Sequence, residues 1–297
     1  MMIREPCVAG QFYPAGREAC LRQIESMRAL LKSLRAELPA DLPARPVAGI
    51  VPHAGWTFSG PTALAVLEQI VARRTPQTFV LFGAVHGRMS GPSAIFPSGG
   101  WETPLGVVKI NERLSREILS RFGDLVTDNP KAHKDEHSIE VQLPLVRHVA
   151  PEATIVPILV PPSDRAAEVG RAVGRVIRDL EADAMCLGTT DLTHYGLMYD
   201  FAPKGFGEAA MRWVRQENDR RMVDLMLRLD AEGAVAEARA HMNACGPGAI
   251  AATLAAAQTL GAERGCLVHY TTSADVMRDQ LGREESESAV GYAGIIF

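Results

Sequence analysis

With 297 residues, the chain has room for one large α/β domain or two small ones. Its 47% apolar and 22% charged content is that of a globule with a buried core and excludes extended disorder. A net charge of −4 provides no field for phosphate backbones or anionic lipid, so neither nucleic acid nor a membrane is expected as a partner.

The opening Met1-Met2-Ile3-Arg4-Glu5-Pro6 lacks the basic start and apolar run of a secretory signal. A cytoplasmic location is expected. An irregular stretch to Pro14 precedes a helix-period pattern over Glu18–Leu34, and Pro39, Pro43 and Pro46 mark a connector. From Val47 short apolar runs alternate with amphipathic segments. The runs Val47–Val51, Thr78–Phe82, Thr154–Val160 and Ala184–Leu187 predict strands. The segments Pro61–Arg73, Asn111–Phe122, Ser138–Val149 and Arg165–Leu180 predict helices between them, which implies βαβ units around a largely parallel sheet.

After Asp200 a long helical region is expected over Phe206–His241. Its Arg215, Asp219, Arg220, Arg221 and Asp224 read as a solvated, ion-paired face. A small-residue helix follows from Pro247, then strands at Cys266–Thr271 and Ala289–Phe297, the last apolar enough to enter the same sheet. No linker or repeat interrupts the pattern. The expectation is a single α/β domain over residues 1–297, with a central, mostly parallel or mixed sheet flanked by helices.

His53 follows the first strong strand, His86 the second, and Asp191 with His194 the strand ending at Leu187-Gly188. In open α/β sheets, loops converge beyond the carboxyl ends of the strands, so residues far apart in sequence meet there. A lone histidine after a strand is usually a capping or packing residue; several at equivalent strand ends suggest a site. Cys245 lies just before the Pro247 helix, where unpaired backbone N–H groups favour a thiolate.

Two imidazoles and an anionic sulfur suit a transition metal rather than magnesium or calcium. His53, His86 and Cys245 are therefore the expected metal ligands, holding iron(II) or copper, with zinc the next choice. Asp191 and His194 form an expected proton-transfer pair that, with Cys245, makes up the candidate catalytic set. Trp56 and Tyr195, each beside a candidate residue in sequence, are expected pocket walls; Phe12, Tyr13 and Trp101 are weaker candidates.

His133-Lys134-Asp135-Glu136-His137 matches the H-x-x-E-H pattern of inverted zinc peptidases, but Asn129-Pro130 and the acidic pair mark a helix start, so the two histidines should not share a helical face. Glu136 and His137 are instead expected in the pocket, and Glu140 and Gln142 either join them or form a helical turn. No glycine-rich phosphate loop of either common type is present, so no nucleotide cofactor is expected. Five widely spaced cysteines without C-x-x-C are expected to be reduced.

Five segments together resemble the Memo-like family, component B of the prokaryotic AmmeMemoRadiSam set. They are Val8-Ala9-Gly10-Gln11-Phe12-Tyr13-Pro14, Pro52-His53-Ala54-Gly55-Trp56-Thr57-Phe58-Ser59-Gly60, Asp135-Glu136-His137-Ser138-Ile139-Glu140, Asp191-Leu192-Thr193-His194-Tyr195-Gly196 and Cys245-Gly246. The resemblance spans nearly the whole chain. It implies a fold similar to the LigB-like class III extradiol dioxygenases and a pocket of His53, His86, Asp191, His194 and Cys245. Those dioxygenases use a glutamate as third iron ligand where this chain has Cys245, which changes metal preference and argues against ring cleavage. Where the human member has consecutive histidines this chain has His86-Gly87.

Three functions are thereby opened. The first is a metal-dependent redox or oxygenase-like protein acting on a small substrate. The second is a non-catalytic module binding a peptide or a radical-SAM pathway partner. The third is a metal-free nucleophilic enzyme using Cys245 with His194 as base.

Overall fold

The computed structural model describes residues 2–34, 39, 41–87, 89, 91–282 and 287–297; residues 35–38 and 40 of the expected connector lie outside them. The first half of the chain runs β1 (Ile3–Arg4), α1 (Arg17–Leu34), β2 (Ala48–Val51), α2 (Trp56–Val71), β3 (Thr78–Gly83), β4 (Ser93–Ile95), β5 (Gly100–Trp101), β6 (Val108–Lys109), α3 (Glu112–Phe122), β7 (Val126–Asp128) and α4 (Leu143–Val149). The second half runs β8 (Thr154–Leu159), α5 (Ala166–Asp179), β9 (Ala184–Thr189), β10 (His194–Tyr195), α6 (Glu208–Trp213), α7 (Asp219–Leu227), α8 (Ala234–His241), α9 (Pro247–Thr259), β11 (Cys266–Thr272), α10 (Ser273–Leu281) and β12 (Ala289–Ile296).

The central sheet has the order β10-β12-β2-β9-β3-β8-β4-β7, with β11 also paired to β12. Its middle strands β2, β9, β3 and β8 are mutually parallel, while β12 and β4 join them antiparallel. The fold is thus α/β with a mixed central sheet, as expected.

Alternation along the strands sorts the core into two faces. Val80 and Phe82 of β3 pack with α3, α5, α8 and α9, whereas Phe79 and Leu81 pack with α1, α2 and α4. All four side chains are fully buried. The middle strands read as continuous apolar runs because both faces are covered. No described helix is long and apolar enough to cross a membrane.

The expected helical region over Phe206–His241 is not continuous. A π-helical turn at Val214–Asn218 separates α6 from α7, and the chain breaks before α8, where Leu229 takes φ +60° and Asp230 accepts a hydrogen bond from Gly233 N. The extra residue in the π turn rotates α7 relative to α6. Asp219, expected on the solvated face, is fully buried on the α7 face that also carries Met222, Val223 and Met226. Its carboxylate accepts hydrogen bonds from Thr193 N at 2.9 Å and Tyr270 Oη at 2.7 Å.

Helices α5 and α9 cross in close contact at small residues. A Cβ on Gly170 would overlap the Ala252 carbonyl oxygen on the facing helix. Because two packed helices can separate only by disturbing the sheet beneath them, Gly170→Ala is expected to cost about 1–3 kcal/mol. A lowered urea midpoint with an unchanged slope would show it; a wild-type midpoint would contradict this packing.

Candidate metal centre

The carboxyl ends of β2, β3 and β9 point the same way, and the residues that follow them meet. Pro52-His53 continues from β2, Ala84-Val85-His86 from β3 and Thr190-Asp191 from β9, with Cys245 arriving just ahead of α9. His53 is 1% exposed. Asp191 Oδ1 accepts from His53 N at 2.8 Å and Ala54 N at 3.3 Å, tying the end of β2 to the loop after β9. Cys245 N donates to Asp191 O at 3.2 Å, while Asp191 N lies 3.3 Å from Cys245 Sγ and donates to it. Cys245 Sγ in turn lies 3.1 Å from His53 Nε2.

Glu136 anchors the other side. Its carboxylate accepts from His86 N at 2.8 Å and Ser138 N at 2.8 Å, and both of its oxygens lie within 3.1 Å of His86 Nδ1. A carboxylate on Nδ1 fixes the ring and leaves Nε2 free, the arrangement usual around metal-binding histidines. His137 stacks on His86 with centroids 4.6 Å apart and planes at 22°, and the His53 ring stands edge-on to both at 5.0 and 5.5 Å.

Among the described residues, two groups bring metal-ligating atoms within 4.8 Å of one another: His53, His86 and His137, and His53, Asp191 and Cys245. The expected set of His53, His86 and Cys245 is therefore split between two groups that share His53. One ring nitrogen of His53, Nδ1, is buried without a hydrogen-bond partner. Imidazoles on one side of His53 and a sulfur against its Nε2 fit a borderline or soft transition metal rather than a hard oxygen-seeking ion.

The electrostatics of the group follow from burial. Burial, followed by the neighbouring imidazoles of His86 and His137, holds His53 well below the ordinary histidine range. Burial and then His86 lower His137 in the same direction. Two of the three rings are thus held neutral, the form in which imidazole binds a metal. Burial also opposes charge on His86, yet the Glu136 hydrogen bond outweighs it and raises that ring; Glu136, though buried, is held below the carboxylate range by the bonds from His86.

The sequence profile of the Memo-like protein family matches residues 4–296. The chain belongs to the Memo-like family. This Memo-like chain is 38% identical over 306 residues to a MEMO1 family protein of Pyrococcus abyssi (strain GE5 / Orsay), covering 99% of both. It is 32% identical to one of Pyrobaculum aerophilum, covering 100% of this chain and 99% of the other. Among solved structures, an uncharacterized protein of Escherichia coli K12 aligns at a TM-score of 0.55 and 12% identity over 85% of this chain and 100% of its own, a likeness of fold alone.

The Memo-like site departs from several sequence expectations. Cys245 is not a pre-formed thiolate: burial, then the Asp191 carboxylate, pushes its thiol up, and the position ahead of α9 does not compensate. The imidazole against Cys245 is that of His53. His194 instead places Nδ1 3.0 Å from Leu192 O and its ring against Tyr199, and no hydrogen bond joins it to Cys245 among the described residues.

Trp56 and Tyr195 are core residues, 1% and 0% exposed. Trp56 Nε1 donates to Val141 O, and Tyr195 Oη donates to Gly205 O, so their polar atoms are engaged elsewhere. The aromatic ring that meets a site imidazole is Phe12, 4.8 Å from His137. His133 is buried beneath Phe96 and Trp101 with Nε2 3.0 Å from Ala94 O, in a 3-10 turn that ends at that residue, so it shares no helix face with His137.

Glu140 also turns away from the pocket. It pairs with Arg4 at 2.7 Å and accepts from Cys7 N, Val8 N and Tyr13 Oη, fastening the N-terminal segment beneath the site. Sequence reasoning misses Thr190 and Tyr199. Thr190 Oγ1 accepts from Gly246 N and donates to Asp191 O, holding the two loops that flank Cys245.

The Glu136–His86 pair has a defined pH signature in protein freed of metal by chelation. Its Glu136 part is present above that side chain's ordinary value of 4.5 and is lost as pH falls through the depressed folded value. Its His86 part is complete below 6.5 and is lost as pH rises through the raised folded value. Wild type should therefore exceed Glu136→Gln in urea stability most between pH 4.5 and 6.5. A stability difference that is flat with pH would contradict the pairing.

Proposed function

We propose that this Memo-like protein is a metal-dependent redox or oxygenase-like protein acting on a small substrate, with iron(II) or copper, and zinc as the next choice, held by His53, His86 and Cys245. The observation that carries this reading is that His53 is common to two groups of potential ligands, the imidazoles of His86 and His137 on one hand and Cys245 Sγ, 3.1 Å from its Nε2, on the other. A bound metal would supply Lewis acidity or one-electron chemistry.

The chain's own residues have separable tasks. Glu136 keeps the Nε2 side of His86 turned to the centre. Asp191 fixes His53 through its backbone N–H and so sets the distance between His53 and Cys245. A cation bound at the site would offset the burial that disfavours the thiolate of Cys245. His194 serves proton transfer. Because Leu192 O can only accept, His194 Nδ1 carries the proton of that bond, which leaves Nε2 for the proton to be moved.

Against a metal-free nucleophilic role for Cys245 with His194 as base stand the raised thiol and the engagement of Cys245 Sγ with His53 and of His194 Nδ1 with Leu192 O. Anaerobic metal analysis after loading with iron(II), copper(I) or zinc is the direct test. Wild type should retain close to one equivalent, His53→Ala should retain none, and Cys245→Ala should bind at least about tenfold more weakly. Wild type that retains no metal would overturn the reading and favour a binding module for a peptide or pathway partner.

A further inference from the structure

His137 has no part in the ligand set proposed above. Its side chain is about one-fifth exposed and sits between two short 3-10 turns, Pro130–His133 and Glu140–Gln142. The nearest acceptor, Glu136 Oε1, is 3.7 Å from Nδ1, beyond hydrogen-bond reach, and no hydrogen bond engages the ring among the described residues. Phe12 packs against it from one side and His86 from the other.

Resting on the metal reading, we infer that His137 is a fourth ligand of the same metal, so that His53, His86 and His137 form a three-imidazole face that Cys245 completes. Geometry carries the inference. Nitrogens each about 2.1 Å from one ion stand roughly 3–3.5 Å apart, so three donors already within 4.8 Å need only about 1 Å of ring movement to converge. A single short segment supplies both the carboxylate that orients His86 and the third ring, so ordering Glu136 also positions His137. A ring retained only for stacking would need no nitrogen, whereas three adjacent imidazoles bring their ring nitrogens together. A shared cation turns that crowding into coordination.

Anaerobic cobalt(II) titration followed by visible absorption, on wild type, His137→Gly and His137→Gln, tests the inference. His137→Gly should bind cobalt(II) at least about tenfold more weakly, with altered ligand-field bands, and added imidazole should restore affinity and bands by refilling the vacated position. Imidazole should not restore His137→Gln, where the new side chain occupies that space. Wild-type affinity and bands in His137→Gly, or a loss that imidazole does not reverse, would overturn the inference. Should the variants fail to fold, ring-nitrogen NMR of zinc-loaded wild type decides it: three metal-shifted imidazoles are expected, and two would overturn it. Wild type that binds neither ion would instead sink the metal reading itself, so the two failures are distinguishable.

Discussion

The contact on which the site depends is the carboxylate of Asp191 against the backbone N–H groups of His53 and Ala54. It joins the loop after β9 to the loop after β2 across neighbouring parallel strands. Through the backbone of Asp191 it also positions Cys245. Burial of this carboxylate raises its pKa, and the backbone donors only partly offset that effect. The centre is therefore assembled around a charge that is costly to bury, and any cation drawn to the ligands beside it would ease that cost.

Behind these loops lies a second layer of buried polar contacts. Asp219 holds Thr193 N, and Gly291 N donates to Thr193 O, so the Asp191–His194 segment is gripped from α7 and from β12. Asn218 Nδ2 reaches Thr193 Oγ1, and Asn243 Nδ2 reaches Asn218 O, linking that segment to the approach of Cys245. The loops carry the candidate site, while side chains from α7, from the π turn before it and from the segment ahead of α9 fix where those loops stand.

Much of this is legible in the sequence, because strand ends announce themselves. Apolar runs at Thr78–Phe82 and Ala184–Leu187 locate two parallel strands, and the first polar residues beyond such runs fall at the carboxyl edge of the sheet. His53, His86 and Asp191 are found in that way, and the Memo-like motifs contain His53 and Asp191 as well. Contacts that depend on rotation or on distant partners are not legible. Asp219 reads as a surface residue by its charge, yet it lies on the α7 face that carries Met222, Val223 and Met226, where Thr193 and Tyr270 meet it. Glu140 resembles a pocket carboxylate until Arg4, far away in sequence, is seen to claim it. Trp56 and Tyr195 adjoin site residues in sequence yet point into the core, since neighbours along a chain diverge in direction. Cys245 has the sequence position of an activated thiol, but burial outweighs the helix terminus.

The central claim is that His53 organises a metal centre at the edge of the sheet. An anomalous difference map from crystals of metal-loaded protein, recorded at the absorption edge of the bound metal, tests it most directly. The account predicts a peak within coordination distance of a His53 ring nitrogen, about 2.0–2.1 Å, and shared with His86. A fully occupied metal peak elsewhere, with His53 still against Cys245 and no density between the rings, would contradict it.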